Sequence, residues 1–228
     1  MTTKLLSQTH ATIASLLLAA TTGACTTLGG LHQAALFREC RAGDDGCKSV
    51  APSAPLAVGA HLRPAVAIEL DGSAAPDVRV TSGAPDILAA DGDVLRGVRP
   101  GIAPVLISAD DGTVIDFVHV WVAQPTRLAI EAGPSRAEAT DEVVAPIQLV
   151  VGEARWLVPA VFGGAQRLAG TGDVAWRVRC EGDACASIAL LGDGVAERRR
   201  LIARAPGKAT IALDGLGLST TLDVEVVP

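Results

Sequence analysis

Downstream of residue 55 the chain is written in short runs in which apolar and polar residues alternate, cut at intervals by Asp-Gly. The last run, TTLDVEVV, puts Leu222, Val224 and Val226 on one side and Thr221, Asp223 and Glu225 on the other. A period of two is that of a strand with one face in a core and the other in water. The Asp-Gly pairs at 71–72, 91–92, 111–112, 193–194 and 214–215 suit hairpin turns, because glycine accepts the positive φ they demand. No stretch after residue 55 carries a helical period, so the pattern predicts an all-β chain folded as a pair of sandwiches. Before residue 55 the signal changes. LHQAALFRECR, from Leu31 to Arg41, predicts a short helix closed by Gly43, and the proline-rich APSAP ending at Pro55 reads as a linker.

The alternating runs occur twice. LAVG at 56–59 corresponds to LVVG at 149–152, and DVRVTSG from Asp77 to DVAWRVR from Asp173. LRGVRPGIAPVLISAD from Leu95 corresponds to LIARAPGKATIALDG from Leu201, with Pro100-Gly101 and Pro206-Gly207 in the same place. VHVWV from Val118 lines up with LDVEV from Leu222. Landmarks in the same order make an internal duplication with a longer second copy. They resemble the bacterial Ig-like domain, group 2, the module of intimin- and invasin-type surface proteins. That pattern has an early Val-Gly, a tryptophan-bearing strand, a Pro-Gly turn and a final alternating valine strand. Trp176 stands at the tryptophan position, where the first copy has Val80. The resemblance covers about residues 50 to 228 and implies tandem Ig-like β-sandwiches, used as spacers, adhesins or accessory domains. The organisation expected is a signal peptide over 1–24, a tether over 25–55, one Ig-like domain over 56–124 and a second over 125–228.

Composition narrows the class. At 49% hydrophobic residues the chain can bury a core, while aromatics at 3%, with no tyrosine, argue against a sugar cleft lined by aromatic faces. The net charge of −6, with signs mixed along the chain, lacks the basic excess of a nucleic-acid binder.

The N-terminal segment reads as a secretory signal. Lys4 precedes an apolar run from Ile13 to Ala20, and small residues follow as far as Ala24. The run falls well short of the roughly 20 residues that span a bilayer. Thr22-Gly23-Ala24 suits an ordinary signal peptidase, and Gly23, Ala24 and Cys25 also resemble the lipobox of bacterial lipoproteins, with a departure at Thr22. Of the five cysteines, Cys40 with Cys47 and Cys180 with Cys185 form local pairs around Gly- and Asp-rich turns. In an oxidising compartment these read as two disulfides. Cys25 is left over at the cleavage site, which predicts a lipid anchor there, with a soluble secreted form as the alternative. Thr26, in place of an aspartate, resembles outer-membrane sorting.

Candidate chemistry is sparse. No HExxH, GxSxG, phosphate-loop or dinucleotide motif occurs, and no cofactor or metal is expected. A hydrolase would have to unite His61 or His119 with a carboxylate and a nucleophile. Asp44-Asp45 and Asp110-Asp111, each followed by glycine, read as turns rather than calcium ligands. With Leu201 and Ala203 in the core, alternation puts Arg198, Arg200 and Arg204 outside, as it does Arg177 and Arg179 if Trp176 and Val178 are buried. These arginines are either a surface for anionic polysaccharide or a solvated strand edge. If Val118, Val120 and Val122 face inward, Phe117, His119 and Trp121 face outward, where the second copy has Thr221, Asp223 and Glu225. That row is either a partner surface or a packing face within the chain. The sequence therefore predicts a non-catalytic cell-envelope lipoprotein acting as a structural or partner-binding module. The alternative is a carbohydrate-binding accessory or adhesion protein. Expected partners are the membrane, through the anchor, and an envelope protein or polysaccharide, but no nucleic acid.

Overall fold

Alternation along the chain becomes pairing in the computed structural model, which describes residues 34–38, 53–68, 77–135, 138–139, 141–144, 146–180, 186–192 and 197–228. The first half contributes β1 (Ala34–Arg38), β2 (Leu56–Ala57), β3 (His61–Leu62), β4 (Pro64–Ile68), β5 (Val78–Ser82), β6 (Leu88–Asp91), β7 (Val94–Gly97), β8 (Gly101–Ala109) and β9 (Val114–Ala123). One sheet runs β2-β9-β8-β5 and the other β3-β7-β6, while β1 pairs with β4. Leu56, Leu88, Leu95, Val105 and Val122 fill the space between the sheets.

The second half adds β10 (Arg127–Gly133), β11 (Asp141–Glu142), β12 (Ile147–Val150), β13 (Ala154–Gly163), β14 (Gln166–Arg167), β15 (Val174–Cys180), β16 (Ile188–Gly192), β17 (Arg199–Ala203), β18 (Gly207–Gly215) and β19 (Leu218–Val227). Its sheets are β12-β19-β18-β15 and β11-β10-β13-β17-β16, with β14 on β13. Leu149, Leu157, Leu201, Ile211, Leu213 and Val224 make its core. Each such side chain stabilises by roughly 1.5–3 kcal/mol relative to an exposed one. The chain is thus all-β, two tandem Ig-like sandwiches.

The duplication extends to individual hydrogen bonds. Val58 N donates to Ala123 O, and Val151 N to Val227 O. Gly59 N donates to Gly97 O, and Gly152 N to Ala203 O, with those glycines at φ of 82° and 91°. Val98 and Arg99 both donate to Ile87 O, as Arg204 and Ala205 do to Ser187 O. Trp176 packs partly buried on the second core, its Nε1 donating to Glu197 O at 2.8 Å, and Val80 takes the corresponding place in the first.

Two expectations are corrected. The helix expected over Leu31–Arg41 is not formed: residues 34–38 are β1, antiparallel to β4 from Ala34↔Ile68 to Arg38↔Pro64. Alanine and leucine favour helix locally, but the open edge of β4 offers a full row of backbone partners, and tertiary pairing overrides propensity. The turn expected at Asp214-Gly215 lies two residues later. Asp214 and Gly215 end β18, and the loop is Leu216-Gly217, both at positive φ (53° and 75°) as a type I′ turn requires.

That turn belongs to a seam between the sandwiches. Ala169 N donates to Pro55 O at 2.7 Å and Ala57 N to Ala169 O at 3.0 Å, while His61 and Thr171 exchange both backbone bonds at 2.8 and 2.7 Å. Leu168, from the second half, is buried in the first core, and Leu216 packs on the same cluster. Gly170 is required here: at φ 97°, a Cβ on it would stand 2.4 Å from Leu56 Cδ1. The second domain therefore donates residues to the core of the first.

Candidate functional site

The outer face of the β2-β9-β8-β5 sheet is built by simple alternation. Ala103, Val105 and Ile107 of β8 point into the core, as does Val122 of β9, so Ile102, Pro104 and Leu106 and the row Phe117, His119 and Trp121 share the other face. Cross-strand register sets them side by side as Ile102↔Trp121, Pro104↔His119 and Leu106↔Phe117. Trp121 is 50% exposed and Ile102 49%, while Phe117 and His119 are half-buried. The Phe117 and His119 rings meet edge to face, centroids 5.6 Å apart. The row is therefore graded, with its most open end at Trp121 and Ile102. Ile102 lies outside any sequence reading of the row, because β8 and β9 meet only through register.

The same face of the second sandwich has the opposite chemistry. Its cross-strand pairs are Lys208↔Glu225, Thr210↔Asp223 and Ala212↔Thr221. Lys208 Nζ lies 3.5 Å from Glu225 Oε1, Thr210 Oγ1 donates to Asp223 Oδ1 at 2.8 Å, and Arg177 stands 3.5 Å from Asp214. Polar pairs of this kind complete a solvated surface at little net energy, whereas apolar side chains at equivalent positions present carbon to water.

The arginine surface expected from alternation does not assemble. Arg198 is 1% exposed, a correction to its outward placement. It precedes β17, which begins at Arg199, so strand alternation does not govern it. Arg200 and Arg204 are exposed on or beyond β17, but Arg177 and Arg179 are exposed on β15, which belongs to the other sheet of the sandwich. Val178, expected in the core, is 37% exposed.

Of the remaining candidates, Cys25, Cys40, Cys47 and Cys185 lie outside the described residues. Cys180, at the end of β15, is disulfide-bonded. His61 is a seam residue, held through its backbone, and stands on a different sheet from His119. Asp111 Oδ1 accepts from Thr113 N at 2.9 Å, and that bond holds its carboxyl below the usual range, as in a closed turn. Among the described residues no His, Cys, Asp and Glu cluster could hold a metal ion, and no helix is long and apolar enough to cross a membrane.

Sequence reading also missed a buried carboxyl group. Glu131 on β10 is 3% exposed, its Oε1 2.8 Å from Arg167 Nη1 on β14. Burial pushes its carboxyl up to about 7; Arg167 opposes the shift, and Glu142 and Asp141 add to it. The only signal in sequence was a polar residue between Leu128, Ile130 and Ala132, which alternation assigns to solvent.

No family model matches the chain, and no curated protein matches it. Among solved structures it is similar to domains 4 and 5 of the S-layer protein SbsC (16% identity, TM-score 0.31, 71% of this chain and 82% of that one). It is also similar to the Yersinia pseudotuberculosis adhesin InvE (10% identity, TM-score 0.35, 78% and 57%). Yersinia pseudotuberculosis InvD gives 12% identity and a TM-score of 0.31 over 78% and 56%.

Proposed function

We propose that this chain is a non-catalytic module of the cell surface, held at the membrane by a lipid on Cys25 and docking an envelope protein through the outer face of β8 and β9. The observation that carries the reading is the contrast between duplicated faces: Ile102–Trp121 stands where the second copy has the ion pair Lys208–Glu225. A half-exposed tryptophan beside an exposed isoleucine is the make-up of a contact centre, since aromatic anchors carry much of the binding energy at interfaces. Ile102, Pro104 and Leu106 offer a sugar no side-chain hydrogen bonds, which favours a protein over a polysaccharide partner. The seam supports the same reading, because a partner docked on the first sandwich is then carried together with the second.

Replacing Trp121 with serine tests the surface. The residue is half-exposed, so the melting temperature should move by no more than a few degrees, an effect of about 1 kcal/mol. Binding of the purified chain to isolated native envelopes should fall tenfold or more. Unchanged binding, or unfolding without a separate loss of binding, overturns the proposal. The anchor is read in the same preparation by intact mass: a lipid on Cys25 supports it and a lipid-free thiol refutes it.

A further inference from the structure

The β2-β9-β8-β5 sheet ends on one side in a strand too short to cover it. β8 pairs with β9 from Gly101↔Val122 to Ser108↔Val114. On its other side β9 meets β2 only at Leu56↔Val122 and Ala57↔Ala123, so among the described residues no strand pairs with His119 there. β1 comes near β9, but its ladder is with β4. The direction of the His119 backbone follows from a proline. Pro104, directly across on β8, has no N–H, and its carbonyl accepts from Gly83 N, just past β5, at 2.8 Å. Amide and carbonyl of one extended residue point the same way, so Pro104 and His119 form a non-hydrogen-bonded pair. The His119 N–H and C=O therefore point away from β8. Residues in phase with it agree: Ala123 O accepts from Val58 N at 2.9 Å, and Phe117 N donates to Asp116 Oδ1 at 2.7 Å.

An unpaired strand edge is a template for another chain, and sheets guard such edges with charge. The second sandwich does so. There β12 covers β19 from Val224 to Val227, and the outward row Thr221, Asp223 and Glu225 carries two carboxylates. At the equivalent positions the first sandwich has Phe117, His119 and Trp121, with Leu106, Pro104 and Ile102 beside them. Its open backbone groups thus lie next to two rows without a carboxylate, lysine or arginine. A backbone amide and carbonyl side by side on a strand edge are matched by an extended polypeptide, rather than by a sugar or a lipid.

We propose that β9 takes up an added strand at His119: an extended segment of the partner protein, apolar at every second position, that continues the sheet beyond β2. Its backbone bonds the His119 amide and carbonyl, and its alternate side chains lie against Phe117, His119 and Trp121. The proposal rests on the reading of the β8–β9 face as a docking surface and names how a partner is held there. β2 makes the same kind of addition in miniature, since it joins the edge of β9 in parallel and without a hairpin connection.

His119→Pro tests the edge without touching the ladder to β8. It removes an N–H that points away from β8, so the melting temperature should stay within a few degrees of that of His119→Ala. Val120→Pro cuts a bond to Ala103 of β8 and should be far less stable. Binding to isolated native envelopes should be weaker in His119→Pro than in His119→Ala by about tenfold or more, because both lack the imidazole and only one lacks the amide. Equal binding of the two overturns the added strand. If Trp121→Ser still weakens binding in that case, the docking face stands and only the strand falls; if it does not, both fall. Should His119→Pro not fold, exchange of the His119 amide in the unaltered chain decides. Rapid exchange in the free chain that slows about tenfold or more on envelopes supports the added strand. Protection already present in the free chain, or no slowing on envelopes, refutes it.

Discussion

Gly170 shows how much a single position can hold. Its backbone sits at φ 97°, and its missing side chain leaves room for Leu56 Cδ1, Ala60 Cβ and His61 O, all within 3.1 Å of where a Cβ would be. Gly170→Ala must therefore strain the backbone and separate the domains together. The expected cost is about 2 kcal/mol or more, seen as a melting temperature lower by several degrees. An unchanged melting temperature would mean that the seam does not support the fold. Other residues of weight were hidden from sequence because burial there comes from outside the strand pattern. Arg198 is buried ahead of its strand, and Glu131 is buried on a strand face that alternation assigns to solvent. Asp116 is 1% exposed among the inward valines of β9, where its carboxylate accepts from Phe117 N at 2.7 Å. Alternation places a side chain on a face; it does not say what else covers that face.

At the scale of elements, the strands of the two sheets were legible wherever a run alternated. TTLDVEVV became β19 with Leu222, Val224 and Val226 buried, as its period required. Elements set by distant partners were not. The segment LHQAALFRECR carries local helix preference and becomes β1 because β4 offers it an edge. The β18–β19 turn moved for a related reason. Asp214-Gly215 is a good hairpin signal, but register closes the ladder at Gly215↔Leu218 and leaves Leu216 at φ 53°. A leucine in that conformation costs about 1 kcal/mol or more. Its side chain offsets the strain by packing on the first core, 3.2 Å from where a Cβ of Gly59 would stand and 2.8 Å from that of Gly172. Leu216→Gly should consequently leave the second domain as stable or slightly more so while weakening its hold on the first. NMR relaxation should then show the domains tumbling with greater independence. Unaltered tumbling would mean that the turn is not part of the clasp.

At the scale of the molecule, duplication was legible from landmarks, and it is repeated bond for bond in the two copies. The aromatic row could be read from alternation alone, since Phe117, His119 and Trp121 must oppose the valines between them. Its full extent could not, because Ile102, Pro104 and Leu106 join it through register. Nor could the seam, which rests on single residues such as Ala169 and Thr171 outside any repeat. Together these features give a two-domain body with one apolar face from the first copy and a polar counterpart from the second. The counterpart is an internal control, with the same strands, register and sheet but different side chains. A photo-crosslinking benzoylphenylalanine in place of Trp121, and separately in place of the equivalent Glu225, uses that control in the native cell. A discrete protein adduct from position 121 and none from position 225 is the result predicted. Adducts from both positions alike, or from neither, would contradict a docking surface confined to the first domain.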